Sequence, residues 1–259
     1  MRNLHESIEG ITEHYIELCK NVDRLFRINI DMLRKDSFDR GLYGEAKLVE
    51  DIINAFDVKV KETSIMAIAR FQPAASDLRS LITFIESSKM LERMGDLLLD
   101  TLVLMRKIEK KEGNMERDFG ILENFLIKIN DIFQKYLEAF IEKDEKKAYV
   151  LLGMDEEINE IRGEIDGIIV NQMKEDSKNI EAGVLMLLIN KKYERVSDKI
   201  TQLTMSSIYN FSGENMRVLE LLEKEKHKSE EDEDFTAAFI SLFMVITLIV
   251  YTYVVLFIA

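Results

Sequence analysis

Acidic side chains spaced four residues apart are the groups in this sequence best suited to chemistry. Glu92 and Asp96 form one pair, and Glu194 and Asp198 form another. A spacing of four places both side chains on one face of a helix, so each pair offers two carboxylates to a metal cation or to acid–base chemistry. Such pairs are also frequent in charged helices, where both carboxylates are usually solvated, so one motif alone leaves both interpretations open.

The first pair interrupts an apolar stripe. At about 100° per residue, Glu92, Asp96 and Asp100 fall in the same sector as six aliphatic residues. These are Leu78, Leu81, Ile82, Ile85, Leu99 and Val103. A carboxylate buried without a partner is costly, and it is normally paired, protonated or bound to a metal. Burial of this face therefore requires a cationic partner, a proton or a metal ion.

The acidic pairs recur at a fixed interval along the chain. Glu194 and Asp198 follow their counterparts, Glu92 and Asp96, by 102 residues each. Polar residues upstream repeat as well, each at an interval of 105 residues: Glu50 and Asn54 in the first half, Asp155 and Asn159 in the second. Four positions recurring in the same order indicate an internal repeat and argue against chance.

Two oxygen-rich sites result if the acid-bearing helices of each half face one another. The candidate metal ligands are Glu50, Asn54, Glu92, Asp96 and Asp100 in the first half, and Asp155, Asn159, Glu194 and Asp198 in the second. Oxygen ligands suit hard cations such as magnesium, manganese, calcium or iron. The ferritin-like Glu-x-x-His motif is missing, which disfavours a di-iron oxidase, and zinc lacks histidine or cysteine ligands.

Hydrophobic residues at intervals of three and four predict an almost wholly helical chain. The predicted helices span 3–35, 45–72, 76–109, 116–143, 145–176 and 179–211. Pro73, the sole proline, separates the second and third helices. Ser76 or Asp77 can cap the third helix, and Asp144 can cap the fifth. Gly213 is placed to end the sixth.

Three long helices joined by short turns form an antiparallel bundle. The predicted fold class is therefore all-α, with two tandem three-helix bundles at 1–111 and 112–213. Residues 214–234 carry an unbroken acidic run and predict a charged linker. Residues 235–259 contain no charge over 25 positions, which predicts a single transmembrane helix acting as a tail anchor. A buried helix, or the end of a truncated chain, is the alternative for this segment.

Composition narrows the classes of function. The net charge of −13 disfavours nucleic acid as a partner. The single cysteine, Cys19, permits no internal disulfide and favours a reducing compartment. The first twenty residues contain no continuous apolar run, so we expect a cytoplasmic body. Motifs for a phosphate loop or a catalytic triad are lacking, so we expect no enzyme and no catalytic residues.

Two sequence runs resemble the PhoU family of phosphate-uptake regulators. They are Gln72-Pro73-Ala74-Ala75-Ser76-Asp77-Leu78-Arg79 and Leu91-Glu92-Arg93-Met94-Gly95-Asp96. The resemblance covers roughly 1–213 and is looser in the second half, where Tyr193-Glu194-Arg195-Val196-Ser197-Asp198 stands in place of the family's Leu-Glu-Arg-Ile-Gly-Asp. The family has two tandem three-helix bundles, each with an acidic E(D)xxxD motif that can bind metal.

The resemblance implies a metal-binding helical adaptor that restrains phosphate uptake or signalling. Its implied partners are a membrane phosphate transporter and a sensor histidine kinase, and a homodimer is also compatible with it. The predicted tail would hold the adaptor at the cytoplasmic face of the inner membrane. Two alternatives stay open: a metal-binding accessory subunit of another phosphate or ion carrier, and a membrane-tethered structural bundle without bound metal.

Overall fold

The computed structural model describes residues 2–35, 37–109 and 119–213, and within these ranges all regular structure is helical. The α-helices are α1 (Arg2–Leu33), α2 (Arg40–Phe71), α3 (Ala75–Glu109), α4 (Gly120–Glu142), α5 (Glu145–Leu152), α6 (Asp155–Glu175) and α7 (Ile180–Ser212). A short 3₁₀ turn, Ser177–Asn179, lies between the last two. The prediction of an all-helical fold is confirmed for these residues.

Helix α2 begins five residues before the predicted start. Asp39 caps it, because its Oδ1 accepts hydrogen bonds from the backbone N–H groups of Gly41 at 2.8 Å and Leu42 at 3.1 Å. A side-chain acceptor at this position satisfies amides that have no partner within the helix. Gly41, which precedes the helix predicted at 45–72, therefore belongs to the first turn of α2.

The connection from α2 to α3 contains the single proline. Gln72 adopts the left-handed conformation, and its N–H donates to the carbonyl of Ile68 at 3.0 Å, which ends α2 before Pro73. Helix α3 then begins at Ala75, so Ser76 and Asp77 lie inside its first turn and not at the predicted capping position. Asp77 still complements the positive end of the helix dipole.

The predicted fifth helix is two helices, α5 and α6. Asp144 caps α5 as predicted, since its Oδ1 accepts from the N–H of Lys147 at 3.1 Å. The break falls at Gly153 and Met154. Glycine is a weak helix former, and the acidic residues from Asp155 onward favour a new helix N-terminus. Apolar periodicity continues across the break, so the sequence pattern predicted one helix.

Helix α7 ends as predicted at Gly213, which has φ +84° and donates its N–H to the carbonyl of Tyr209 at 3.0 Å. The described helices belong to one compact unit. Helices α1, α2 and α3 pack against one another, α4, α5 and α6 pack around α7, and the most extensive contact joins α3 to α7. Helix α3, which carries Glu92 and Asp96, therefore lies beside α7, which carries Glu194 and Asp198.

Buried aromatic residues fill the space between the halves. The hydroxyls of Tyr15 on α1 and Tyr136 on α4 are 2.6 Å apart, and both side chains are fully buried. The ring of Phe84 meets Tyr15 in a T-shaped contact with a centroid separation of 5.4 Å, and the ring of Phe140 packs against Tyr15 at a tilt with a separation of 4.9 Å. Two of these rings come from α1 and α3 in the first half and two from α4 in the second, so the cluster packs the halves against each other.

None of the helices described above is long and apolar enough to cross a membrane. The predicted boundary between the halves, at 111 and 112, lies outside the described residues, as do the predicted linker at 214–234 and the predicted transmembrane segment at 235–259.

Candidate functional site

The first acidic cluster lies between α2 and α3. It contains Glu50 from α2 together with Glu92 and Asp96 from α3. Glu50 Oε1 accepts a hydrogen bond from Asn54 Nδ2 at 2.6 Å. The Glu92 side chain is only 15 % exposed, and its Oε1 lies 2.8 Å from Lys89 Nζ. Glu92 Oε2 is buried and has no hydrogen-bond partner among the described residues.

The two neighbouring glutamates of this cluster disfavour the charged form of Asp96. Burial, the charges of Glu92 and Glu50, and a hydrogen bond with Glu50 together raise the pKa of Asp96 to about 6, while Lys89 opposes the change. Asp96 is exposed overall, but loss of water around its carboxylate is the largest of these causes. A cation placed here would relieve this repulsion.

Asp100 lies apart from this arrangement. Its side chain is 60 % exposed, and its Oδ2 accepts from Nζ of Lys192 on α7 at 2.7 Å. The structure therefore brings Glu50, Asn54, Glu92 and Asp96 together and uses Asp100 to link α3 to α7.

The second acidic cluster lies between α6 and α7 and contains Asp155, Glu194 and Asp198. The Glu194 side chain is 13 % exposed and forms an ion pair with Lys191. Asp155 Oδ1 accepts from Thr201 Oγ1 at 3.1 Å.

The pKa of Asp198 is raised from its ordinary value, first by burial and then by the charges of Glu194 and Asp155. Two lysines, Lys191 and Lys199, oppose the change. The second half therefore repeats the physical pattern of the first. Asn159, the fourth predicted ligand of this half, is an exposed residue of α6.

A glycine lets α3 approach α2 closely beside the first cluster. A Cβ atom on Gly95 would lie 3.1 Å from Cδ1 and 3.2 Å from Cγ2 of Ile53, which is fully buried. These distances are shorter than nearly all real Cβ contacts. Ser197 occupies the corresponding position 102 residues later and is also buried. The two halves thus carry different small residues at this position of the repeat.

The lysines that pair with the two glutamates were not predicted from the sequence. Lys89 and Lys191 are separated by 102 residues, the same interval as the acidic pairs, so the repeat contained the signal. Thr201, which bonds Asp155, corresponds to Leu99 in the first half and carries no such signal.

The donor types in both clusters fit a hard cation. All are oxygens, the carboxylates repel one another, and Glu92 Oε2 is buried without a partner in the described structure. In the ranges that the structure covers, however, no three acidic, histidine or cysteine side chains already stand in an arrangement that would hold a metal ion. The chemistry of the donors thus agrees with the prediction, while metal binding itself stays a prediction.

Comparison with known proteins identifies related chains. The PhoU domain model matches residues 13–102 and 123–206, and each match contains one acidic cluster. A protein of Thermotoga maritima described as "Phosphate-specific transport system accessory protein PhoU homolog 1" is 29% identical over 170 residues, covering 65% of this chain and 72% of that protein. A PhoU homolog of Deinococcus radiodurans is 23% identical over 195 residues, covering 75% and 90% of the two chains.

Solved structures share the fold. The crystal structure of PhoU from Pseudomonas aeruginosa superposes with a TM-score of 0.75 at 23% identity, covering 81% of this chain and 99% of that chain. The phosphate transport system regulatory protein PhoU from Streptococcus pneumoniae gives a TM-score of 0.69 at 21% identity, covering 82% and 98%. With the family model matched in both halves, the chain belongs to the PhoU domain family.

Proposed function

We propose that this protein is an accessory regulator of phosphate uptake and phosphate signalling. The observation that carries the proposal is the PhoU domain match in both halves of the chain, each containing one acidic cluster at the equivalent place. Relatives with this domain are named as accessory proteins of the phosphate-specific transport system. The protein acts by binding partners and catalyses no reaction of its own.

The acidic clusters are the proposed metal sites of this adaptor. Glu50, Glu92 and Asp96 would hold a cation in the first half, with Asn54 beside them, and Asp155, Glu194 and Asp198 would do so in the second. A magnesium, manganese, calcium or iron ion would supply positive charge that offsets the repulsion within each cluster. Each cluster joins two helices, so neutralising it stabilises the packing of α2 on α3 and of α6 on α7.

The partners in this proposal are a membrane phosphate transporter and a sensor histidine kinase. Residues 235–259 would anchor the body at the cytoplasmic face of the membrane, since 25 residues without charge are long enough to span the hydrocarbon core. Tethering raises the effective concentration of the adaptor near membrane partners without any new contact.

Capture of partners tests the proposed function. Full-length protein is cross-linked in cells grown with abundant or scarce phosphate and then purified from the membrane fraction. We expect phosphate-transporter subunits and a sensor kinase, recovered more strongly when phosphate is abundant. Recovery of a different ion carrier would support the alternative of an accessory subunit for that carrier, and recovery of neither would contradict the regulator function.

The anchor has its own test. Protein lacking residues 235–259 should move from the membrane pellet to the soluble fraction, while full-length protein remains in the pellet. A truncated protein that still sediments with membranes would contradict the anchor and would leave the proposed regulation untouched.

A further inference from the structure

A lysine precedes the central glutamate of each acidic cluster by three residues. Lys89 Nζ lies 2.8 Å from Glu92 Oε1, and Lys191 forms the equivalent ion pair with Glu194. The charges of Asp57 and Asp96 also help to raise the pKa of Lys89. The charge of Lys191 opposes the raised pKa of Asp198.

These pairs differ from ordinary surface pairs in the burial of the carboxylate. Lys20 and Glu17 on α1 have similar spacing, but the Glu17 side chain is 49 % exposed, against 15 % for Glu92 and 13 % for Glu194. Lys89 itself is 54 % exposed and Lys191 is 44 % exposed. Each ammonium therefore reaches from solvent onto a sheltered acid and can leave again without disturbing the core.

We propose that Lys89 and Lys191 are built-in counterions, and that a hard divalent cation entering either acidic cluster must displace the lysine from its glutamate. The inference rests on the proposed function, because it takes the clusters to be cation sites. It assigns a role to two residues that are not themselves metal ligands.

Displacement follows from the atoms available in the first cluster. Glu92 Oε1 is engaged by Lys89, while Oε2 is buried without a partner in the described structure. A divalent cation bound by the carboxylates would lie within a few ångströms of the ammonium and repel it, since exposed like charges at that separation still interact appreciably. The lysine thus holds the cluster together without metal and lowers the affinity of the metal, so that binding responds to cation concentration.

Manganese binding to the full-length protein tests this role. Chelator-treated parent, Lys89→Gln, Lys191→Gln and the double variant are titrated with Mn²⁺, and free Mn²⁺ is followed by electron paramagnetic resonance. We expect each substitution to tighten its own site by about three- to tenfold, a range set by the modest strength of partly exposed charge pairs. Lys20→Gln, which removes a lysine from an exposed pair, is the matched control and should bind as the parent does.

A second measurement needs no variant. An amine-acylating reagent should modify Lys89 and Lys191 faster in the parent when Mn²⁺ is bound, because each released ammonium loses its carboxylate partner. Lys20 should react at the same rate with and without Mn²⁺.

Lys89→Arg, which keeps the positive charge, should bind Mn²⁺ no more tightly than the parent. Far-UV circular dichroism verifies that each variant is folded.

Each result of the Mn²⁺ titration and the acylation experiment either supports or contradicts displacement of the two lysines. Equal Mn²⁺ affinity in parent and glutamine variants, with unchanged acylation, would overturn the inference and leave cation binding intact. Binding by the glutamine variants but not by the parent would support it, since the lysines then exclude the cation. Absence of Mn²⁺ binding in every form would overturn both the inference and the metal-binding part of the proposed function, while capture of transport partners would still decide the regulatory part.

Discussion

Replacing Asp96 by asparagine should stabilise the metal-free protein at neutral pH. The pKa of Asp96 is raised from 3.8 to about 6 by burial and by the neighbouring charges of Glu92 and Glu50. The folded protein therefore holds this proton more tightly than the unfolded chain does, and ionising Asp96 weakens the fold. Asparagine keeps the size of the side chain and removes its charge.

The size and pH range of the effect follow from this difference. A shift of about two pH units corresponds to about 3 kcal/mol, but Asp96 is exposed and solvent screens much of its repulsion, so we expect about 1 kcal/mol at pH 7.5. The destabilisation is absent below pH 4, grows between pH 4 and pH 6 and is complete above that range. The stabilising effect of Asp96→Asn should follow the same course.

Urea unfolding followed by circular dichroism measures this free energy. Parent and Asp96→Asn are compared at pH 4 and pH 7.5 in chelator at low salt. Asp51→Asn, a charge removal at an exposed position of α2, is the matched control and should change stability little. The reasoning fails if Asp96→Asn is no more stable than the parent at pH 7.5, or if its advantage is equally large at pH 4. Added Mn²⁺ should stabilise the parent more than the variant.

Three further substitutions test the packing that positions the clusters, each by the shift in free energy of unfolding. Gly95→Leu should destabilise the protein by about 1–3 kcal/mol, because its Cβ would press on buried Ile53; unchanged stability would contradict the tight helix crossing. Tyr136→Phe should cost about 1 kcal/mol by leaving the Tyr15 hydroxyl without this partner, and adding Tyr15→Phe should cost less than a second such loss. Asp144→Ala should cost about 1 kcal/mol through the lost cap of α5, whereas Asp144→Asn should cost clearly less.

The sequence predicted those features that depend on local pattern. Apolar periodicity located the long helices, and side-chain chemistry identified the Asp144 cap and the Gly213 terminus. The spacing of Glu92 and Asp96, with Glu50 upstream, correctly indicated carboxylates that meet between two helices. Each of these inferences needs only residues within one helix or one repeat unit, where geometry follows directly from spacing.

Other features depend on packing between distant segments and could not be read from pattern. Asp100 shares its helical sector with Asp96 in the sequence, yet it pairs with Lys192 because α7 lies against that part of α3. The break near Gly153 was hidden by apolar residues that continue the helical period on both sides. Which partner a long lysine or aspartate side chain finds is decided by neighbouring helices, and spacing along one helix contains no information about them.

The two clusters share a pattern but differ in the charge that opposes their acids. In the first, Lys89 is the cation that opposes the raised pKa of Asp96, whereas in the second both Lys191 and Lys199 oppose that of Asp198. If the clusters bind cations as proposed, an incoming cation would therefore meet one opposing lysine in the first cluster and two in the second. Lys192 also joins α7 to Asp100, one turn beyond Asp96, so an ion pair links the two acid-bearing helices α3 and α7 beside the first cluster.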